Sequence, residues 1–523
     1  MYRPVIYQIY PRSFQDSSGS GTGDLNGIRE RLPYVAALGV DAIWLSPFFT
    51  SPMADMGYDV SDHCNVDPSF GTLDDFDGLV KAAHDLGLKV ILDQVLSHTS
   101  IEHPLFNRSR QSRDNAAADW FVWADPKPDG TPPNNWQSLF GGSAWEWDIG
   151  RRQFYFHNFL VDQPDLNFHN PAVQDWALNV LTFWTDRGVD GFRLDTANFY
   201  FHDAALRDNP LDTRDMQRPT LRSYDMQFPE FSKNRPECLT FMTRLRKQAD
   251  TRGTLLLGEI GESHHPIQRL ADYTAPDRLH MGYHPEMMGQ TFTAAHFREQ
   301  VEHYFALNPD GCPAWAFSNH DVPRHVSRWA RHAAEPAGFA KLCAALLLSL
   351  PGAICLYQGE ELGLPVPPLT YDELVDPEGL RFWPENPGRD GARTPMPWKS
   401  GAPHGGFSDA AQTWLPVKPA HLTLAVDTQN DPGSVLSHYR RMIAMRTANP
   451  ALSRGPVAFL EMPEPVLAFT GAGVVRVFNL SPDPVTLPVK IAGSFLSAQH
   501  ADVNGTNLHL GPNGFIIAHQ TAD

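Results

Sequence analysis

The chain has 523 residues, of which 42% are hydrophobic and 20% charged, so it is globular and too long for one ordinary domain. Its net charge of -18 disfavours nucleic acids and anionic membranes as partners, because their phosphates would be repelled. Neutral or cationic small molecules fit this charge better.

The N-terminal stretch MYRPVIYQIY lacks the profile of a signal peptide, and no apolar run reaches the length of a membrane span. The five cysteines are odd in number and include no CxxC pair, which is typical of reduced thiols. We therefore expect a cytoplasmic monomer or homodimer without membrane contact.

Eight short apolar runs along the first four-fifths of the chain predict buried strands, with helical patterns between them. Repeated strand-then-helix units indicate an α/β fold, the TIM (β/α)8 barrel. The predicted strands span residues 5–10, 40–48, 88–97, 189–197, 254–260, 278–284, 312–318 and 353–359.

Two long gaps interrupt this alternation. Residues 99–165 combine many aromatics with a proline-rich stretch, which predicts a small inserted domain B. A second insertion, 198–250, follows the fourth strand. Short alternating strands near the end predict a C-terminal antiparallel β domain, a β-sandwich, over 453–523. The catalytic barrel would then comprise 1–98 and 166–452.

The reactive groups of a TIM barrel lie at the C-terminal ends of its strands. Arg193 and Asp195 are two residues apart on one predicted strand, so both point toward the barrel axis. We expect Arg193 to lower the pKa of Asp195 and keep it ionised as a nucleophile, although a buried structural ion pair would show the same pattern. Glu259 follows an apolar stretch that should raise its pKa, as an acid requires, although it could also be a helix cap. The remaining polar residues at strand ends are Asp93, His98, His320 and Asp321.

Two carboxylates on neighbouring strand ends could lie about 5 Å apart, as a retaining glycosidase requires. Asp195 would attack the anomeric carbon, Glu259 would act as acid and base, and Asp321 would stabilise the transition state. The same strand-end histidines and aspartates could instead bind a metal ion in a hydrolase of the amidohydrolase type. The sequence lacks the paired HxH motif of that type, and an arginine beside Asp195 fits a metal site poorly.

Five motifs occur in the order and at the spacing of glycoside hydrolase family thirteen, so the chain resembles this α-amylase family and its α-glucosidase and oligo-1,6-glucosidase group. The resemblance implies the same three catalytic roles for Asp195, Glu259 and Asp321. Some family members serve as scaffolds after losing these carboxylates, but this chain retains all three. The motifs are DQVLSH (93–98), QPDLNFHNP (163–171), GFRLDTANF (191–199), LLLGEI (255–260) and FSNHD (317–321), and the residues that the resemblance implies for sugar binding are His98, Arg193 and His320.

Two further motifs resemble the α-glucosidase group. In SPMADMGYD (51–59), Asp55 would bind outer sugar hydroxyls and Tyr58 would form an aromatic platform. In GARTPMPW (391–398), Arg393 would approach Asp55 and close the pocket behind the non-reducing end of the substrate. A closed pocket implies an enzyme that acts from chain ends.

Thr196 follows the nucleophile, and in this group threonine goes with α-1,4 bonds whereas valine goes with α-1,6 bonds. The resemblance therefore implies a retaining α-glucosidase acting on short, maltose-like α-glucosides, with transglucosylation possible. An oligo-1,6-glucosidase and a sucrose-active enzyme of the same family are the alternatives. The insertion 198–250 could restrict the leaving-group side, favour transfer to small acceptors, or be a plain surface excursion.

The stretch DSSGSGTGD (16–24) resembles the calcium loop of the family, whose pattern is close to DxNxDGxGD. Asp16 and Asp24 remain, but Ser18 and Ser20 replace an amide and a carboxylate, which weakens the hold on a hard cation. The retaining mechanism requires no metal. We expect no cofactor for catalysis and a structural loop with a weakened calcium-type position.

Overall fold

The computed structural model describes residues 3–214, 220–488 and 494–520. A parallel eight-stranded barrel forms the centre, which confirms the predicted fold class. Each predicted strand contains one barrel strand: β1 Val5–Ile9, β2 Ala42–Leu45, β3 Lys89–Gln94, β4 Gly191–Leu194, β5 Leu255–Glu259, β6 Met281–Tyr283, β7 Ala314–Trp315 and β8 Ala353–Tyr357.

Strand pairing closes the barrel and sets the register of the site. Strands β1 to β6 pair in chain order, β8 pairs with both β1 and β7, and a bridge between Gly282 and Pro313 joins the sixth and seventh positions. Asp93 on β3 is in register with Arg193 on β4. The polar C-terminal ends of these strands therefore meet at one edge of the barrel.

The barrel helices form where apolar residues recur at helical spacing. The helix after β2, for example, begins with a capping box between Thr72 and Asp75 and buries Phe76, Leu79 and Val80. The eight barrel helices are Leu25–Ala36, Leu73–Asp85, Pro171–Thr185, Pro236–Arg252, Pro266–Tyr273, Ala294–Leu307, Pro336–Ser349 and Val435–Ala448. Shorter helices are Pro104–Ser109, His325–Arg328, Pro377–Phe382, Asp390–Arg393 and Pro419–Leu422.

The segment between β3 and the helix Pro171–Thr185 contains a three-stranded antiparallel sheet. Its strands are Trp123–Ala124, Trp145–Asp148 and Gln153–Phe156. Trp136, Trp145 and Phe156 belong to a separate apolar cluster, so this segment has a small core of its own. The predicted limits of domain B, 99–165, stay a prediction. A two-stranded ribbon, Phe49–Thr50 with Asp62–Val66, follows β2.

The second insertion is shorter than predicted. Residues 236–252 form the ordinary barrel helix after β4, with Cys238, Phe241 and Leu245 buried at helical spacing. The excursion therefore comprises residues 198–235, of which 215–219 lie outside the described part of the chain.

The C-terminal segment is antiparallel β structure, as predicted. Its described strands join in one six-stranded sheet, and the two packed sheets that a β-sandwich implies stay a prediction. The strands are Ala458–Phe459, Val466–Gly471, Val474–Asn479, Val485–Leu487, Phe495–Asn504 and Asn507–His519. All five cysteines are free, and no helix within the described residues is long and apolar enough for a membrane span.

Candidate active site

A pocket of about 500 Å³ opens at the C-terminal edge of the barrel strands. Barrel strand ends form its inner end, whereas domain B, the excursion 198–235 and the segment after β8 form its mouth. Of the predicted site residues, those that line the pocket are Asp55, Tyr58, His98, Asp195, Thr196, Glu259 and Asp321.

Arg193 connects the carboxylates at the inner end. Its side chain is fully buried, and its Nη1 donates to Asp93 and to Asp195, each at 2.6 Å. Its Nη2 donates to Glu259 at 2.7 Å and to the Tyr283 hydroxyl at 2.8 Å. Because one guanidinium contacts both Asp195 and Glu259, the two carboxyls lie near each other, which is compatible with the short carboxyl separation of a retaining glycosidase.

The pKa values of the carboxyls around Arg193 differ from the prediction for Asp195 and agree with the prediction for Glu259. Burial raises the pKa of Asp195 to about 7, because it outweighs the opposing effect of Arg193, which also serves two other carboxylates. Arg193 does act to lower the Asp195 pKa, as predicted, but the net shift is upward, so the prediction that Arg193 keeps Asp195 ionised is wrong. Burial also raises the pKa of Glu259 to about 7 and that of Asp93 to about 6. Asp195 and Glu259 therefore titrate near neutral pH and Asp93 slightly below it, and carboxyls that share one guanidinium influence one another's protonation.

Asp321 has the opposite electrostatic environment. Burial acts to raise its pKa, but the positive charges of His320, which is protonated only in acid, and of Arg393 and Arg389 outweigh burial and hold the pKa well below the usual range. Arg393 donates from Nη2 to Asp321 at 2.9 Å and from Nε to the backbone oxygen of His320 at 2.8 Å. Asp321 is therefore a permanently ionised carboxylate, as required for a group that stabilises positive charge.

Arg389, not Arg393, approaches Asp55. The Arg389 Nη2 donates to Asp55 and to the buried Asp376, each at 2.6 Å, and Nη1 lies 3.5 Å from Asp321. The two arginines are four residues apart on one segment, and Arg393 is directed to Asp321 instead. The prediction that Arg393 meets Asp55 is wrong, but an arginine of this segment does pair with Asp55.

Tyr58 and His98 form one wall of the inner pocket. The Tyr58 ring stacks on His320, with ring centres 5.3 Å apart, and its hydroxyl donates to Asp93 at 3.1 Å. His98 makes hydrogen bonds to Ser97 Oγ and to the Tyr58 backbone oxygen. Burial lowers the pKa of His98 to about 4 and that of His320 to about 3, so both rings are neutral at pH 7.

Arg193 and His320 lie behind the pocket surface rather than on it. Both are completely buried, and neither lines the pocket. The geometry gives them the task of fixing Asp195, Glu259 and Tyr58; the predicted direct contact with sugar stays a prediction.

Thr196 connects the two central carboxylates. Its backbone nitrogen donates to Glu259 at 3.1 Å, and its hydroxyl lies 3.3 Å from Asp195 and 3.0 Å from Ser97 Oγ. Its φ of 40° is in the left-handed region, which is strained for a β-branched residue. The turn after β4 thus aims both the backbone amide and the hydroxyl of one residue at the reacting groups.

Several pocket residues escaped the sequence analysis because they lie on long loops. Phe140 and Phe159 come from the segment between β3 and its helix, and Phe159 lies 5.1 Å from the His98 ring. The only signal for them was the richness of that segment in aromatics. Other residues missed at the pocket include Phe199, Arg222, Tyr224, Asp225, Lys233, Glu378 and Arg389.

The carboxylates of the loop 16–24 are occupied by hydrogen bonds from the protein. Asp16 accepts from the backbone nitrogens of Gly19 and Gly21, each at 2.8 Å, and from Ser408 Oγ at 2.5 Å. Asp24 accepts from Ser17 and caps the helix Leu25–Ala36. This loop lies outside the set of residues that line the pocket.

Comparison with known proteins agrees with this geometry. Residues 8–455 match the family model of the α-amylase catalytic domain. A probable α-glucosidase of Rhizobium meliloti is 53% identical over 93% of this chain and 90% of its own length. An oligo-1,6-glucosidase of Heyndrickxia coagulans is 36% identical over 88% and 87% of the two chains. The crystal structure of the α-glucosyl transfer enzyme XgtA superposes with a TM-score of 0.94 at 51% identity and covers 99% of both chains.

Proposed function

Because the chain belongs to the α-amylase family of glycoside hydrolases, we propose that it is a retaining α-glucosidase that removes glucose from the non-reducing end of short, α-1,4-linked glucosides. The observation that carries this proposal is the Arg193 guanidinium, which bridges Asp195 and Glu259 at the inner end of the pocket. The family assignment also decides against the metal-dependent hydrolase of the amidohydrolase type.

The proposed reaction is a double displacement. The ionised Asp195 attacks the anomeric carbon while Glu259 donates its proton to the departing oxygen, which gives a glucosyl ester on Asp195. Glu259, now ionised, takes a proton from water, and that water hydrolyses the ester with overall retention of configuration. Asp321 stabilises the positive charge that develops at the sugar ring between these states.

The shared proton of the carboxyl cluster suits this sequence of steps. Asp195 and Glu259 both have a pKa of about 7, so near neutrality one proton is shared within the pair. The productive form has that proton on Glu259. Arg193 touches both carboxylates and therefore compensates charge as it moves from one to the other.

The ion pair between Asp55 and Arg389 supports action from the chain end. Arg389 reaches Asp55, Asp376 and Asp321 from a loop beyond β8, and its side chain is 11% exposed. A buried pair of this kind blocks the pocket behind the terminal sugar, so only one sugar unit fits on that side of the cleaved bond.

Preference for α-1,4 bonds rests on Thr196. Its hydroxyl lies beside Asp195 and Ser97, and its backbone nitrogen donates to Glu259, the proposed acid for the leaving-group oxygen. Valine would remove both polar contacts at nearly unchanged volume, which is consistent with the different linkage preference of valine-bearing members of the group.

Glucosyl transfer is the second candidate activity. Four residues of the excursion 198–235 other than Phe199 line the pocket, namely Arg222, Tyr224, Asp225 and Lys233. They give the leaving-group side a structured wall that could bind a second hydroxylated molecule in place of water. The similar XgtA structure is described as a glucosyl transfer enzyme.

Time-resolved product analysis on maltose, isomaltose, sucrose and trehalose tests these points together. We expect maltose to react fastest, the glucose released from sucrose to appear first as the α-anomer, and longer glucosides to accumulate at high maltose concentration if transfer occurs. Comparable turnover of maltose and isomaltose would refute the linkage preference. The Thr196→Val variant should raise the isomaltose-to-maltose ratio by about tenfold, equivalent to about 1.4 kcal/mol of transition-state selectivity.

A further inference from the structure

Lys233 is a buried cation in the pocket wall to which the mechanism above gives no task. It is only 4% exposed, yet it lines the pocket together with Glu259 and Tyr224. Its Nζ donates to the backbone oxygen of Gly261 at 2.7 Å and lies 4.8 Å from the centre of the Phe199 ring. Among the described residues, no carboxylate lies within ion-pair distance of this nitrogen.

Two side chains at this position, Lys233 and Tyr224, have hydrogen-bonding groups without a partner in the described part of the chain. An ammonium group has three N–H donors, and only one of those of Lys233 has a partner within the described chain. The hydroxyl oxygen of Tyr224 is also buried and has no partner among the same residues, while its ring centre lies 5.8 Å from Lys233 Nζ. Buried polar groups are normally satisfied, so two such groups beside one pocket favour a ligand that forms hydrogen bonds with them.

Lys233 lies on the leaving-group side of the cleaved bond. Gly261, whose oxygen it contacts, comes two residues after Glu259, the group that protonates the leaving oxygen. Asp55 and Arg389 close the opposite side. A ligand that contacts Lys233 is therefore the departing group or an acceptor that takes its place.

The charge of the pocket limits the class of that ligand. Eight carboxyl side chains line the pocket, against the three cations Arg222, Lys233 and Arg389. Such a surface repels phosphates and carboxylates, whereas sugar hydroxyls accept hydrogen bonds from an ammonium group without carrying charge.

We propose that Lys233 determines specificity by donating hydrogen bonds to hydroxyl groups of an uncharged sugar or polyol in the leaving-group site. This inference rests on the proposed function, because it requires the glucosyl unit to lie between Asp195 and Glu259. Replacement of Lys233 should not release the strand end, because Asn198 Nδ2 also donates to the Gly261 oxygen at 3.0 Å. A binding role and a structural role can therefore be separated.

The test compares two substrates in the variants Lys233→Met and Lys233→Arg. Maltose has a hydroxylated leaving group, whereas the 4-nitrophenol of 4-nitrophenyl α-glucoside offers no sugar hydroxyl. In Lys233→Met we expect kcat/KM for maltose to fall about 10- to 100-fold, which is the usual contribution of a hydrogen bond from a charged group. We expect kcat/KM for the aryl glucoside to change less than about threefold, because its leaving group has no sugar hydroxyl. Lys233→Arg should recover part of the loss, and Lys247→Met, at an exposed position on the helix Pro236–Arg252, should behave as the unaltered enzyme.

Equal losses on the two substrates would make Lys233 a structural clamp and overturn the inference. Full activity of Lys233→Met on maltose would also overturn it. If the unaltered enzyme hydrolysed neither maltose nor the aryl α-glucoside, the proposed function itself would be refuted. That result is distinct from a failure of the inference about Lys233.

Discussion

The inner end of the pocket and its mouth are built in different ways. At the inner end, Arg193, Asp195 and Glu259 stand on adjacent barrel strands, and their positions follow from strand register and direct hydrogen bonds. At the mouth, residues such as Tyr224, Lys233 and Arg389 come from loops with no common register. Under the proposed function, the barrel carries out the bond-breaking steps and the loops select the substrate.

Replacing the nucleophile should have the largest effect. Asp195→Asn keeps the shape of the side chain but removes the carboxylate that forms the ester, so kcat should fall by roughly 10⁴-fold or more on every α-glucoside. Steady-state kinetics on maltose and an aryl α-glucoside measure this. Asp114→Asn, at an exposed position outside the pocket, is the matched control. Residual activity within tenfold of the unaltered enzyme would contradict the assignment.

Removing the arginine behind the terminal sugar should have the next largest effect. Arg389→Met leaves Asp55 and Asp376 buried without their shared cation, so we expect kcat/KM to fall by roughly 100-fold, mainly through KM. Arg381→Met, an exposed arginine on the neighbouring helix Pro377–Phe382, should leave KM unchanged. If both variants showed the same kinetics, Arg389 would not close the pocket behind the terminal sugar as proposed.

The pH profile should show how the inner carboxyls share their proton. Asp195 must be ionised and Glu259 protonated, and the pKa of each is about 7. Below neutrality Asp195 gains a proton, and above it Glu259 loses one, so kcat/KM should peak near pH 7 and fall about tenfold per pH unit on each flank. Glu259→Gln should remove the basic flank for an aryl glucoside, which needs little acid assistance. A flat profile from pH 5 to 9 would contradict the shared-proton arrangement.

The smallest effect is expected at the loop 16–24. Because Asp16 and Asp24 already accept hydrogen bonds from protein groups, excess chelator should change the melting temperature by less than about 1 °C. Differential scanning calorimetry with and without chelator, followed by added calcium, measures this. A fall of several degrees that calcium reverses would show that the loop binds a cation.

The same contrast explains what the sequence could predict. Arg193, Asp195 and Glu259 follow apolar strands, and the period of two together with parallel register brings them to one edge of the barrel. The fold class and this inner group were therefore predictable from local pattern. The pKa of Asp195 was not, because it depends on the burial of three carboxyls around one arginine, which only the assembled barrel creates.

The loops around the pocket have little local sequence pattern from which their contacts could be predicted. Arg389 and Arg393 lie four residues apart, and nothing in their spacing tells which one meets Asp55 and which meets Asp321. Lys233 and Tyr224 belong to an excursion without periodicity, so their place in the pocket wall depends on how that loop packs against Gly261 and Phe199.

The most direct test of the double displacement is to trap the ester on Asp195. A fluorinated α-glucosyl donor that forms the intermediate faster than water removes it should add one glucosyl unit to the protein, and peptide mass spectrometry should locate that unit on Asp195. Asp195→Asn should remain unlabelled. An adduct on another residue, or β-glucose as the first sugar released from 4-nitrophenyl α-glucoside, would contradict the account.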